Sequence, residues 1–237
     1  VDALYELGVI YRDVKKNINK SIYYFSIARE INHIDSQYEL GCIFYLGIYV
    51  TKDINKAIHY YKLAADQQHP IAQNKLGSIY YNDEVVPRNI DKAIHYLELS
   101  ANQNYPLAQY ALGEIYRTGE CVSRNIKLSM MYYNLAANQG HTDALYQLAV
   151  LYFKGEVIQK NISKAINYFE LAAKQNHRDS QQILGVIYIK ADLVMKDEKK
   201  AIHYLELASN QDDSEAQYIL GVIYYQGKHI DKDIYKS

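Results

Sequence analysis

The 237-residue sequence contains no tryptophan, two cysteines, three prolines and four phenylalanines. Two cysteines cannot build a disulfide-stapled scaffold, and three prolines exclude a proline-rich linker or ligand segment. Neither sign of charge dominates, since 26 Lys and Arg against 27 Asp and Glu leave a net charge of −1. With no long run of one sign, the chain lacks the electrostatic footprint of a nucleic-acid binder or of a protein held on an anionic membrane. No apolar run approaches the roughly 18 residues that span a bilayer. No charged segment followed by an apolar block opens the chain at Val1, so no secretory leader is read there. The sequence starts inside one helical pattern and stops inside another, which reads as a piece of a longer chain. Gly-rich phosphate loops, His-Glu-x-x-His, nucleophile elbows and kinase signatures are all missing, and the carboxylates are scattered, so no acid–base constellation can be assembled. The chain is read as non-catalytic, with no cofactor and no metal.

What the sequence does have is tyrosine, 26 residues of it, and a repeat. Leu-Gly recurs at Leu7, Leu40, Leu76, Leu112, Leu184 and Leu220, and Leu148-Ala149 fills the missing place. The steps are 33 and then 36 five times. A small residue stands four before each Leu (Ala3, Ser36, Ala72, Ala108, Ala144, Ser180, Ala216) and an aromatic four after (Tyr11, Phe44, Tyr80, Tyr116, Tyr152, Tyr188, Tyr224). A second aromatic column keeps the same register at Tyr24, Tyr60, Tyr96, Tyr132, Tyr168 and Tyr204. Self-similarity at this period indicates an array of stacked units in place of one globular core. The boundaries fall at 1–33, 34–69, 70–105, 106–141, 142–177 and 178–213, with a partial seventh repeat at 214–237.

Each repeat reads as two antiparallel helices, making the chain all-α. Residues 72, 76, 79 and 80 follow the i, i+4, i+7, i+8 spacing of one helix face. A loop follows, with Gly47, Gly119, Gly155 or Gly227 three residues after the aromatic, replaced by Asp83 and Ala191 in two repeats. The second helix opens at Asn17, Asp53, Asn89, Asn125, Asn161, Asp197 or Asp233, whose side-chain oxygens can accept from the free N–H groups of a first turn. It stops at Asn32, Gln68, Asn104, Gly140, Asn176 or Asp212, residue types that suit a left-handed helix end, with Gln68 the poor fit. Such a hairpin is too small to bury its own apolar face, so its Ala columns and its Tyr and Leu columns are expected to pack against neighbouring repeats.

The string A-x-x-x-L-G-x-x-Y, then G-x-x-V-x-x-D/N-x-x-K-A, then Y-x-x-L-A-A, resembles the Sel-one-like repeat, a branch of the tetratricopeptide-like α-solenoids. Repeat 2 carries it through Leu40, Gly41, Phe44, Gly47, Val50, Asp53, Lys56, Ala57, Tyr60, Leu63, Ala64 and Ala65. The resemblance covers the whole chain and implies a right-handed α/α superhelical solenoid. Departures are local: repeat 1 lacks three loop residues, Leu128-Ser129 replaces Lys-Ala, and the loop of repeat 6 diverges. By resemblance the chain is a scaffold or adaptor that binds other proteins or extended peptides, in signalling or in ubiquitin-linked quality control. The alternative is the regulatory arm of a multidomain enzyme, such as a protein kinase, whose catalytic domain lies outside these residues. A cysteine-rich branch linked to β-lactam binding pairs two Cys in each repeat; Cys42 and Cys121 make no such pairs. Two unpaired thiols favour the cytoplasm over the endoplasmic-reticulum lumen.

Four groups of residues are candidate sites. Tyr23, His59, His95, Met131, Asn167 and His203 form a column far from the apolar face of the second helix, expected to be a solvated outer face. His33, His69, His141 and His177, with Tyr105 and Asp213 substituting, follow each helix stop and are expected to pack back on the last turn. Neighbours in that column stand about one helix-packing step apart, ~10 Å, too far to share a zinc. The sequons at Asn19 and Asn161 are read as chance, Asn161 being a cap. The fourth group is a stripe on the first helices, expected to line the concave side, with Tyr5, Tyr38, Tyr45, Tyr81, Tyr110, Tyr146, Phe153, Tyr218 and Tyr225 as partner-binding candidates. Such rings suit an extended peptide or partner helix. The competing reading is that they only fill contacts between successive first helices.

Overall fold

The computed structural model describes residues 2–82, 84–155, 158–190 and 194–226. They form thirteen α-helices and no strand. In chain order these are α1 (Asp2–Asp13), α2 (Ile18–Glu30), α3 (Ile34–Leu46), α4 (Ile54–Asp66), α5 (Pro70–Asn82), α6 (Ile90–Asn102) and α7 (Pro106–Thr118), then α8 (Ile126–Ala137), α9 (Thr142–Lys154), α10 (Ile162–Lys174), α11 (Arg178–Ile189), α12 (Glu198–Ser209) and α13 (Ser214–Gln226). The chain divides into two compact units, Val1–Asn125 and Ile126–Ser237. In both, the two helices of a repeat pair with each other, and the second helix also packs on the first helix of the next repeat.

Close approach within a pair is set by the Leu-Gly column. Leu40, Leu76, Leu112, Leu148 and Leu184 are fully buried. The neighbouring glycine is where the partner helix presses in: a Cβ at Gly41 would lie 2.5 Å from Cδ1 of Tyr61, which is itself only 1% exposed. Phe25 and Leu97 press on Gly8 and Gly77 in the same way. The two aromatic columns meet face to face, Phe44 on Tyr60 at 5.7 Å and Tyr80 on Tyr96 at 5.9 Å in the first unit. In the second unit Tyr152 lies on Tyr168 at 5.9 Å and Tyr188 on Tyr204 at 6.1 Å. Offset stacking of this kind adds about 0.5–1.5 kcal/mol per pair beyond the area it buries.

The loops are tied by one recurring bond. The backbone N–H of the cap residue donates to the carbonyl of the first-helix aromatic: Asp53 to Phe44, Asn89 to Tyr80, Asn161 to Tyr152 and Asp197 to Tyr188, all at 2.8–3.0 Å. Repeat 1 makes the same bond from Asn17 to Tyr11 at 2.8 Å despite its shorter loop. The caps then do what their chemistry suits: Asn17, Asp53, Asn89, Asn161 and Asp197 accept from the N–H three residues on. Gly47, Gly119 and Gly155 hold φ of +64° to +68°, as a left-handed helix end requires. Asp83, Ala191, Gly227 and Asp233 lie outside the described residues.

The end of each second helix closes as a Schellman motif. Asn32, Gln68, Asn104, Gly140, Asn176 and Asp212 all have positive φ. The next residue's N–H reaches five residues back, His69 to Ala64 at 3.1 Å for example. Gln68 therefore adopts the conformation its side chain suits least, at φ 64°. Beside this joint runs a ladder of side-chain amides. Gln67 donates to Gln37 at 2.8 Å, Gln103 to Gln73 at 2.7 Å and Gln211 to Gln181 at 2.7 Å. Gln73 and Gln181 in turn donate to the carbonyls of Ala65 and Ala173 in the preceding repeat.

Two substitutions test this packing by urea unfolding. Gly41→Val drives a branched side chain into Tyr61 and is expected to cost about 3 kcal/mol. Gln68→Gly, at an exposed position, relieves the left-handed strain and is expected to stabilise by about 1 kcal/mol.

Candidate functional site

The stripe residues are not equivalent. Tyr5, Tyr38 and Tyr146 are wedged, each between a buried ring and the histidine that ends the same repeat. Tyr38 lies 5.9 Å from Tyr61 and 4.8 Å from His69; Tyr146 lies 6.0 Å from Phe169 and 4.7 Å from His177. Tyr5 sits likewise between Phe25 and His33. Tyr45 and Phe153 lie against the buried rings Tyr61 and Phe169, at 6.4 and 6.3 Å. Tyr81 and Tyr110 are half-buried, and Tyr218 and Tyr225 on α13 are each 73% exposed. Burial raises the phenol pKa values of Tyr38 and Tyr61, and Tyr61 donates to the Cys42 sulfur at 3.5 Å. The Cys42 thiol is itself pushed up by burial, which keeps it a packed thiol instead of a thiolate nucleophile. Cys42 and Cys121 are both free.

The second histidine column does more than pack back on the preceding helix. His33, His69, His141 and His177 are the N-caps of α3, α5, α9 and α11. In each the ring Nδ1 accepts from the backbone N–H three residues on, at 3.1–3.3 Å. Asp213 does the same for α13, at 2.8 Å. His33, His69 and His177 thus each close one helix through their own N–H, open the next through the ring, and pack against the tyrosine before them. Histidine is an uncommon cap, so residue type gave no hint; its place directly after a helix stop and before a new helix was the available signal.

These histidines also assemble what looks like a hydrolytic triad. His177 has the Ser180 hydroxyl 2.9 Å from Nδ1 and Asp143 3.7 Å from Nε2, and His33 is flanked by Ser36 at 2.8 Å and Asp2 at 3.9 Å. Ser36 and Ser180 are both 0% exposed, so neither hydroxyl can meet a substrate. Nδ1 is also engaged as the acceptor of a backbone N–H. The arrangement is a helix junction. The first histidine column points outward as expected: Tyr23, His59, His95, Met131, Asn167 and His203 are all exposed. Among the described residues no group of three or more His, Cys, Asp or Glu could hold a metal ion, and no helix is long and apolar enough to cross a membrane.

A further column was legible in the sequence but carries meaning only in three dimensions. The residue before each second-helix cap is basic in all seven repeats: Lys16, Lys52, Arg88, Arg124, Lys160, Lys196 and Lys232. Three of these place their charge over a stripe ring, Lys52 over Tyr45 at 5.4 Å, Arg88 over Tyr81 at 4.7 Å and Lys160 over Phe153 at 5.8 Å. In the first unit a cavity of about 350 Å³ lies between two of the rings, lined by Tyr45, Ser78, Tyr81, Asn82, Leu97, Ala111, Glu114 and Ile115.

The comparisons agree with this anatomy. The family model of the Sel1 repeat matches at residues 1–33, 34–69, 70–105, 106–141, 142–177, 178–213 and 214–237. The chain belongs to the Sel1 repeat family, whose helical repeats are scaffolds that typically mediate protein–protein interaction. A Sel1 repeat protein from Oxalobacter formigenes is 26% identical with a TM-score of 0.83, the match covering 98% of this chain and 95% of that one. A protective antigen of uropathogenic Escherichia coli, c5321, which displays an SLR fold, is 28% identical with a TM-score of 0.60 over 99% of this chain and 59% of its own. The immunity protein PA5088 from Pseudomonas aeruginosa, at 23% identity and TM-score 0.55 over 90% of this chain and 82% of that one, shows the fold alone. Among curated proteins none matches. The all-α solenoid of helix pairs read from the sequence is the fold of this chain.

The histidine caps give a pH prediction. Burial lowers the pKa of His69, His141 and His177. The unfolded chain, with histidine near 6.5, therefore binds more protons than the native one below neutrality, and stability rises with pH there. The melting temperature is expected to hold above about pH 7 and to fall as pH drops through about 6.5. His69→Asn keeps a capping oxygen without the titration and is expected to flatten that slope, as thermal melts across pH 5.5–7.5 would show.

Proposed function

We propose that this chain is a non-catalytic adaptor that binds other proteins, as extended segments, along the concave face lined by its first-helix stripe. The observation that carries the reading is the division of labour among the rings. Tyr5, Tyr38 and Tyr146 are held from both sides by packing. Tyr45, Tyr81 and Phe153 each have a loop cation over the ring, and Tyr45 and Tyr81 border a cavity. Rings of this kind are rigid, amphipathic anchors that lose little conformational freedom on binding. The serines beside the histidines are sealed from substrate, which supports binding in place of turnover. The finer assignment, signalling or ubiquitin-linked quality control, follows from the identity of the partner.

The test is affinity capture with the full chain and with Tyr45→Ser/Tyr81→Ser, compared at a temperature where both are folded. The variant is expected to lose at least tenfold of the captured partner, about 1.4 kcal/mol, consistent with two ring anchors. Undiminished capture by a folded variant contradicts the assignment.

A further inference from the structure

We infer that the partner segment recognised by the first unit is acidic, with carboxylates at every third residue and apolar side chains between them. This rests on the stripe reading above and adds the chemistry of the ligand. The carboxylates of the stripe are already neutralised inside the protein. Glu39 pairs with Arg12, and Glu114 pairs with Arg117 at 2.6 Å. The cations bordering the rings are not. Lys52 and Arg88 are exposed, and among the described residues no carboxylate lies within ion-pair distance of either. Glu84 and Glu120 stand on the same loops, exposed and without an ion pair to Arg88 or Arg124. The loops are thus not basic patches as a whole; Lys52 and Arg88 are loop cations that also lie over a stripe ring.

That placement matters chemically. The Arg88 guanidinium lies 4.7 Å from the Tyr81 ring centroid, and a guanidinium held over a ring can still present its N–H donors to a bidentate carboxylate. Lys52 over Tyr45 offers a second point one repeat away. Packed helices step by about 8–10 Å, and a polyproline-II chain rises by about 3.1 Å per residue with three residues per turn, so every third side chain returns to the same side and matches successive cations. The cavity of about 350 Å³ between Tyr45 and Tyr81 takes an apolar side chain from the residues between. A single-stranded nucleic acid fits less well. Its bases need free ring faces, and Lys52 and Arg88 each lie over one at Tyr45 and Tyr81.

The experiment uses fluorescence polarisation with the full chain and a labelled peptide of four Glu-Leu-Ser triplets. Controls are the Gln-Leu-Ser and Lys-Leu-Ser counterparts and a labelled oligothymidylate. The Glu peptide is expected to bind at least tenfold more tightly than the Gln peptide and to weaken as salt rises. Lys52→Glu/Arg88→Glu is expected to weaken it at least tenfold. Both positions are exposed, so circular dichroism should show an unchanged fold. Unchanged affinity in that variant, equal binding of the Lys peptide, tighter binding of the oligothymidylate, or no binding of any peptide each overturns the inference. If Glu and Gln peptides bind equally and Tyr45→Ser/Tyr81→Ser weakens both, the charge inference fails while the stripe reading stands.

Discussion

Everything in this fold depends on the joint where one repeat hands over to the next. A 36-residue hairpin does not enclose a core of its own, so its stability must come from the face it shares. At the joint the chain turns through one left-handed residue and the following residue opens a new helix, leaving almost no slack. Histidine at that place binds backbone on both sides and stacks on the tyrosine of the helix before it. The amide ladder fastens the same seam from the interior, with Gln73 and Gln181 reaching carbonyls of the preceding repeat. Buried amides and imidazoles cost free energy unless satisfied. Their full satisfaction here fixes the register of one hairpin on the next as well as holding it.

This economy explains why polar groups that look chemical are structural. Serine, histidine and aspartate converge twice, yet the serines are sealed and the imidazoles are occupied by the backbone. Cys42 is a packed thiol that accepts from Tyr61. What the joint leaves over is the outward edge of the first-helix stripe, where rings and loop cations meet. The chemistry available there is recognition, in keeping with the Sel1 repeat family to which the chain belongs.

Much of this was legible in the residues because the repeat sampled each position six times. The Asp and Asn caps were readable, since a short oxygen-bearing side chain at a helix start has one dominant use. The core columns were readable too, because Ala, Leu and Tyr kept helical spacing. The capping role of the histidine joint is not legible: its ring caps a helix that begins just after it, and residue type favours other caps. The amide ladder was invisible, because Gln37 and Gln67 stand 30 residues apart and meet only once the helices pair. The stripe lies on the first helices, but sequence does not separate the wedged Tyr38 from Tyr45, a distinction made by His69, the cap of α5. The cation column was in plain view, and its use depended on the ring beneath it.

The central claim is that a repeat is held by its neighbour through this joint, and hydrogen exchange on the full chain carrying His69→Ala tests it most directly. Amides in the last turns of α4, in the first turns of α5 and around Tyr38 in α3 should all lose protection together. Loss confined to the first turn of α5, with α3 and α4 as protected as before, would show that the histidine serves only its own helix and that the repeats are coupled by other means.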